Sequence, residues 1–218
     1  MKSNHKDIFI RRVLMTVFGV LGGGMCVGMF RMSVFGVDPF QALMSGIFEV
    51  TNLSFGTLYV VVNAILLIFA LVMDRKLIGL GTFINLFLLG YVIDFSHQFF
   101  LGMFPDIGLL GRVLFLVFGI LIICVASSLY FTANMGVSTY DAVALVLAKR
   151  APVMKFKYWR IITDSICVIA GTALFLMAGN QLNQVLSIIG IGTIIAAFFM
   201  GPLIAYFNRK IAEPLLRK

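Results

Sequence analysis

The chain has 218 residues, 61% of them hydrophobic and 12% charged, with a mean hydropathy of +1.06 and a formal net charge of +8. A soluble domain carries about 25% charged residues, so this composition excludes an ordinary water-soluble protein and points to one membrane domain over 1–218. Nucleic acid is excluded as a partner as well, because the basic residues sit in short loops and tails with no basic helix or aromatic-interleaved patch.

In chain order, a basic tail ends at Arg12 and runs into the apolar stretch 12–33. A secretory signal has the same layout, but no small-x-small cleavage site follows, so the stretch reads as a retained helix. It is the first of six apolar stretches, at 12–33, 57–73, 78–100, 112–133, 160–178 and 184–207. Each is close to the ~20 residues that cross a bilayer as a helix, and none alternates with the period of a barrel strand. The expected fold class is all-α and integral to the membrane, with six transmembrane helices.

After the first stretch comes GVDPFQALMSGIFEV, too short and too polar to cross. Gly36 can turn the chain, Asp38 is a good N-cap, and Pro39 suits the first helical position. Arg31, just before it, can snorkel to the surface or pair with Asp38. The second stretch carries Asn63 and closes on Arg75–Lys76. The third opens on IGLGT and carries Asn85, Asp94 and His97. The fourth opens on Arg112 and closes on Asn134. GVSTYDAVALVLAKR follows, with Ser138 as N-cap, Thr139 next, Asp141 in the first turn, and Lys149 and Arg150 at the end, where cations suit a helix C-terminus. The fifth stretch carries Asp164. The sixth contains IGIGT and Pro202, ahead of a basic tail from Arg209.

Of 17 Lys and Arg residues, 15 fall in four segments: the N-terminus to Arg12, Arg75–Lys76, Lys149–Arg160, and the tail. Six crossings put all four on one face, which the positive-inside bias assigns to the cytoplasm. Both termini are then cytoplasmic in a bacterial inner membrane. Arg112 and Arg31 are left for the other side.

The chain also repeats itself. RVLMTVFGVL at 12–21 and RVLFLVFGIL at 112–121 share seven of ten residues. The same offset lays FGVDPFQAL on MGVSTYDAV. Asn63 falls near Asp164 after a one-residue shift, and IGLGTFINLFLLGYVI at 78–93 lies on IGIGTIIAAFFMGPLI at 189–204. Two units of about 12–105 and 112–207 are expected, each with three spans and a half-helix after the first. An odd number of spans inverts the second copy, as in many secondary transporters whose sites lie between the copies.

Ionisable and amide groups inside spans are costly and mark sites by default. The expected interior holds Asp38, Pro39, Asn63, Ser138, Thr139, Asp141 and Asp164, with Arg31, Asn85 and Asn134 as secondary candidates. Asn63 and Asp164 can equally serve as interhelical glue. The two half-helix N-termini could receive an anionic group, while Asp38 and Asp141 could instead hold H⁺ or Na⁺. Cys26, Cys124 and Cys167 lack metal spacing and read as packing residues. No HExxH, GxSxG or nucleotide loop occurs, so neither an enzyme, a cofactor nor a metal site is expected.

The GVDPF and GVSTYDA motifs, the RVLxxVFG helix and the IGxGT blocks resemble the YczE/YitT-type family of bacterial membrane proteins, over roughly 10–210. The resemblance implies a multi-span inner-membrane protein, called a transporter or uncharacterised, and supplies no site residues. The expected function is therefore transport of a small solute, with an anion as one charge class, through a site between the repeats. The alternative is an accessory protein that stabilises or positions a membrane enzyme or exporter. A passive channel would need a continuous polar stripe, which the sequence lacks. The partners are lipid and an unknown solute or coupling ion, with a homo-oligomer or a membrane partner left open.

Overall fold

A computed structural model describes residues 5–151, 153–154 and 156–217; Lys2, Lys155 and Lys218 of the basic segments lie outside the described residues. Its elements are α1 (His5–Ser33), α2 (Pro39–Glu49), α3 (Phe55–Met73), α4 (Leu80–Met103), α5 (Leu109–Ala133), α6 (Thr139–Arg150), α7 (Phe156–Met177), α8 (Ile191–Phe207) and α9 (Glu213–Arg217), with 3-10 turns at Arg75–Leu77 and Leu182–Ser187. A π-helical turn, Asn208–Ala212, joins α8 to α9.

Five helices, α1, α3, α4, α5 and α7, are long and apolar enough to cross a membrane. Large apolar side chains face outward along them: Ile65, Ile68 and Val72 on α3 are each more than 60% exposed. Water would penalise that surface heavily, and lipid does not. The chain is a multi-pass membrane protein. The stretch expected as a sixth span, 184–207, is not among these five helices. Its first part, 184–190, is taken by the 3-10 turn and a bend, and α8 has 17 residues. IGxGT marks a helix start in both places, since Gly79 and Gly190 are the N-caps of α4 and α8.

Small residues set the packing directions. A Cβ added at Gly19 would meet Ala126 O at 2.8 Å and Tyr130 Cβ at 3.0 Å, while one at Gly119 would meet the Phe30 ring at 2.7 Å. Early α1 thus meets late α5 and the reverse, so these two look-alike helices run antiparallel. Gly24 packs on Val92 and Gly28 on Ser96, and the matching four-residue steps make α1 and α4 parallel. Gly56 against Tyr91 and Gly90 against Tyr59 make α3 and α4 antiparallel.

The short helices α2 and α6 run alongside long ones instead of lying across the bundle end. Thr139 bonds Asn63, and Lys149 reaches Asp74 at 2.6 Å. Hence α6 is parallel to α3 and covers its C-terminal half. Gly46 of α2 meets the backbone of Gly171 of α7, and Asn180 donates to Glu49 at 3.2 Å. With α1 and α4 parallel and α6 ending at Asp74, the basic residues of α1, the Arg75 turn and the end of α6 gather at one end. The tail joins them there, because Met15, Ala133 and Ala212 share one cluster.

Two matching clasps tie each loop before a short helix to the start of α4 or α8. Val37 N–H donates to Ile188 O (2.9 Å), Gly192 N–H to Phe35 O (2.7 Å), and Thr193 Oγ1 to Val37 O (2.7 Å). In the other clasp, Val137 N–H donates to Leu77 O (3.1 Å), Gly81 N–H to Met135 O (2.7 Å), and Thr82 Oγ1 to Val137 O (2.7 Å). Gly36 and Gly136, at φ of 100° and 109°, make both turns possible.

Candidate functional site

The two short helices begin as their sequences dictate. Asp38 accepts from the N–H groups of Phe40 (3.1 Å) and Gln41 (3.2 Å), with Pro39 first in α2. Ser138 accepts from Asp141 N–H (3.1 Å) and donates its own proton to Asp141 Oδ2 (2.7 Å), a reciprocal cap. Asp38 and Pro39 thus close the start of α2, while Ser138 meets the Asp141 N–H of α6 and the Asp141 carboxylate takes the Ser138 proton. A negative charge placed at either start would face Asp38 or Asp141.

The two starts meet over a shared interior. Phe40 stacks on Tyr140, with centroids 4.7 Å apart. Tyr140 Oη donates to Asp164 on α7 at 2.5 Å, and Cys167 Sγ lies 3.6 Å from the same oxygen. Arg160, one turn before Asp164, bonds Asp141 and approaches Asp164 with Nε at 3.1 Å. Its guanidinium carbon stands 4.5 Å from the centre of the Tyr140 ring. Arg160, Asp141 and Asp164 keep side-chain exposures of 33%, 25% and 28%, so the network borders open space and is not sealed in a dry core.

That space is a cavity with two lobes of about 160 Å³ and 150 Å³. Gly23, Asn85, Leu89, Ile123, Ser138 and Asp141 wall both. Asp38, Gln41, Tyr140 and Arg160 complete one lobe, and Tyr130 the other. Asp38 and Asp141 in the lining, set against Arg160, leave a formal charge of −1 when ionised, and Asp164 adds a third carboxylate behind Arg160. Two buried oxygens in these walls, Gln41 Oε1 and Tyr130 Oη, have no partner. Leaving such groups unmet is expensive. The lining mixes carboxylates with amides, hydroxyls and one guanidinium, and the excess of carboxylates suits a guest carrying positive charge. Among the described residues, no group of three His, Cys, Asp or Glu side chains could hold a metal ion.

The other expected residues distribute as follows. Asn63 and Asp164 do not bond each other. Asn63 joins Thr139 and donates to Tyr59 O at 2.8 Å, so each is fastened to α6 by a neighbouring residue. Asn85 lies in the cavity wall. Arg31 makes no ion pair with Asp38; its guanidinium sits 3.7 Å above the Phe55 ring. Asn134 ends α5 in the left-handed conformation, at φ 49° and ψ 51°, which turns the chain toward α6. Asp94 accepts from Gln98 at 3.3 Å.

Sequence reasoning missed Arg160, which it counted among the basic loop residues, along with Gln41, Tyr130 and Tyr140. One signal was available for Arg160. It stands four residues before Asp164 at the mouth of an apolar run, the spacing at which opposite charges on a helix meet.

The family described as a family of unknown function (DUF6198) matches residues 10–209. An uncharacterised protein of Haemophilus influenzae is 24% identical over 212 residues, covering 97% of this chain and 87% of that one. No solved structure matches. The matching family bears the DUF6198 description; the YczE/YitT resemblance rests on the motifs alone.

Proposed function

We propose, on the premise that this chain belongs to the DUF6198 family of unknown function, that it moves a small organic cation, an amine or guanidine, through the cavity where α2 and α6 begin. One observation carries the reading: a polar cavity of net negative charge between two half-helix starts, with two buried oxygens unmet. Arg160 sits beside Asp141 and Asp164 where the cationic end of such a guest would pair. An incoming cation competes with it for Asp141 and Asp164, and a proton on either carboxylate weakens the hold. An accessory protein would be expected to pair its polar groups locally; the unmet Gln41 Oε1 and Tyr130 Oη favour transport.

The architecture behind this reading is six crossings in two inverted units, with α8 as the sixth. Support comes from the antiparallel α1–α5 pair and the two matching clasps. The clasps would act as hinges when one unit rocks against the other, as alternating access requires. The gathered basic end is assigned to the cytoplasm of a bacterial inner membrane, with both termini there. Cysteine tags at Lys76 and Lys149 should label from one face of the cell envelope and a tag at Asp106 from the other. Labelling of all three from one face would overturn the topology.

Transport is tested in proteoliposomes with radiolabelled guanidinium and methylammonium. Uptake above protein-free vesicles is expected, with at least a tenfold loss in Asp141→Asn and Asp38→Asn. Absence of flux together with absence of thermal stabilisation by either cation would reject transport and favour the accessory reading.

A further inference from the structure

At the end of the bundle away from the basic segments, the fold brings Arg31 and Arg112 to one pocket of about 560 Å³. The sequence separates them by 81 positions, and they are the two cations outside the four basic segments. Val34, His97, Leu101 and Asp106 also line the pocket. None of the four ion pairs among the described residues uses Arg31, Arg112 or Asp106. The Arg31 guanidinium lies over the Phe55 ring, a contact that positions it and leaves its N–H edge free. A snorkelling arginine would reach past such a ring into water.

Two further facts set this pocket apart. Cations on the face opposite the basic end work against the charge bias that orients membrane proteins, so a pair of them in one place carries a cost. Val34, in the pocket wall, has φ 59°, a strained value for a β-branched residue, where the equivalent turn away from the pocket carries Asn134, which tolerates it.

We propose that this pocket binds a phosphate-bearing anion between Arg31 and Arg112, with His97 as a further donor. Planar guanidinium forks match phosphate oxygens in pairs. Two arginines against Asp106 leave +2 − 1 = +1, which a phosphodiester neutralises. The pocket shares no residue with the central cavity, so the site stands whether or not transport does.

The test uses the full chain in phosphatidylcholine nanodiscs, read by thermal unfolding. One arm adds phosphatidylglycerol to the disc, and the other adds soluble glycerol phosphate. A rise of several degrees in the lipid arm alone assigns a headgroup, and a rise in the soluble arm assigns a free phosphate ester. Either rise should vanish in Arg31→Gln/Arg112→Gln and persist in Arg209→Gln/Lys210→Gln, which removes charge at the basic end. If the double variant does not fold, Arg112→Gln alone, at an exposed position, should lose at least half of the rise. No rise in either arm, or a full rise in Arg112→Gln, would overturn the proposal.

Discussion

Phe40 and Tyr140, the second residues of α2 and α6, stack with ring centroids 4.7 Å apart and planes 19° from parallel. They are exactly one hundred positions apart and hold matching places in the two motifs, so the contact joins like to like at the centre of the molecule. Phe40 belongs to the cluster that includes Met44, Phe55, Tyr59 and Ile93. Phe40→Ala should therefore cost about 3 kcal/mol through the void it leaves. Tyr140→Phe keeps the stack and loses the bond to Asp164 and the weak one from Cys167, for about 1 kcal/mol. Unfolding in detergent should rank the two in that order.

Arg160 serves two carboxylates. Arg160→Gln leaves Asp141 and Asp164 facing each other with less compensation, and about 1–2 kcal/mol should be lost, discounted for partial exposure. Adding Asp141→Asn to the same chain should restore more than half of the loss. A double variant no more stable than Arg160→Gln would mean that the arginine acts through packing on Tyr140 alone.

Val34 and Asn134 hold equivalent places one hundred positions apart, at φ 59° and 49°. Asparagine tolerates this conformation and valine does not. Val34→Asn should stabilise the chain by about 1 kcal/mol, and Asn134→Val should destabilise it by a similar amount. Thermal melts of the two variants in one detergent provide the comparison.

The antiparallel course of α1 and α5 is open to direct measurement. A Cβ built at Gly22 lies 3.1 Å from Ala126 Cβ, close to the spacing a disulfide needs. With Cys26, Cys124 and Cys167 replaced by Ala, a Gly22→Cys/Ala126→Cys chain should form an intramolecular bridge on mild oxidation. Gly22→Cys paired with Leu110→Cys should not. The reverse result on gels would show the helices to be parallel.

At the basic end, the Lys149 ammonium 2.6 Å away holds the Asp74 carboxyl below its usual range. A depressed carboxylate contributes stability above its unfolded pKa of about 3.9 and loses it as pH falls through the lower folded value. The contribution is thus constant from about pH 5 upward. Asp74→Asn should melt slightly below the parent at neutral pH, converge with it on the acid limb as the parent's carboxylate takes up its proton, and admit trypsin faster at Lys149 and Arg150.

The residue order by itself determined the membrane class, the places of most helices, the caps at Asp38 and Ser138, and the recurrence of the RVLxxVFG and IGxGT motifs. These depend on local composition and spacing: long apolar runs need lipid, and a short polar acceptor before a helix caps it wherever the chain then goes. What IGxGT does was not legible, because Gly79, Gly190 and their threonines act through loops more than fifty residues away. Arg160 was not legible either. As a letter it joins a basic loop, and only the hairpin of α6 and α7 turns it toward Asp141. The sixth stretch was read too long for a related reason, since apolar character does not distinguish a helix from a 3-10 turn held by Val37. Tertiary structure alone decided which polar groups meet, because a hydrogen bond or an ion pair depends on distances of a few ångströms that packing sets and sequence separation does not.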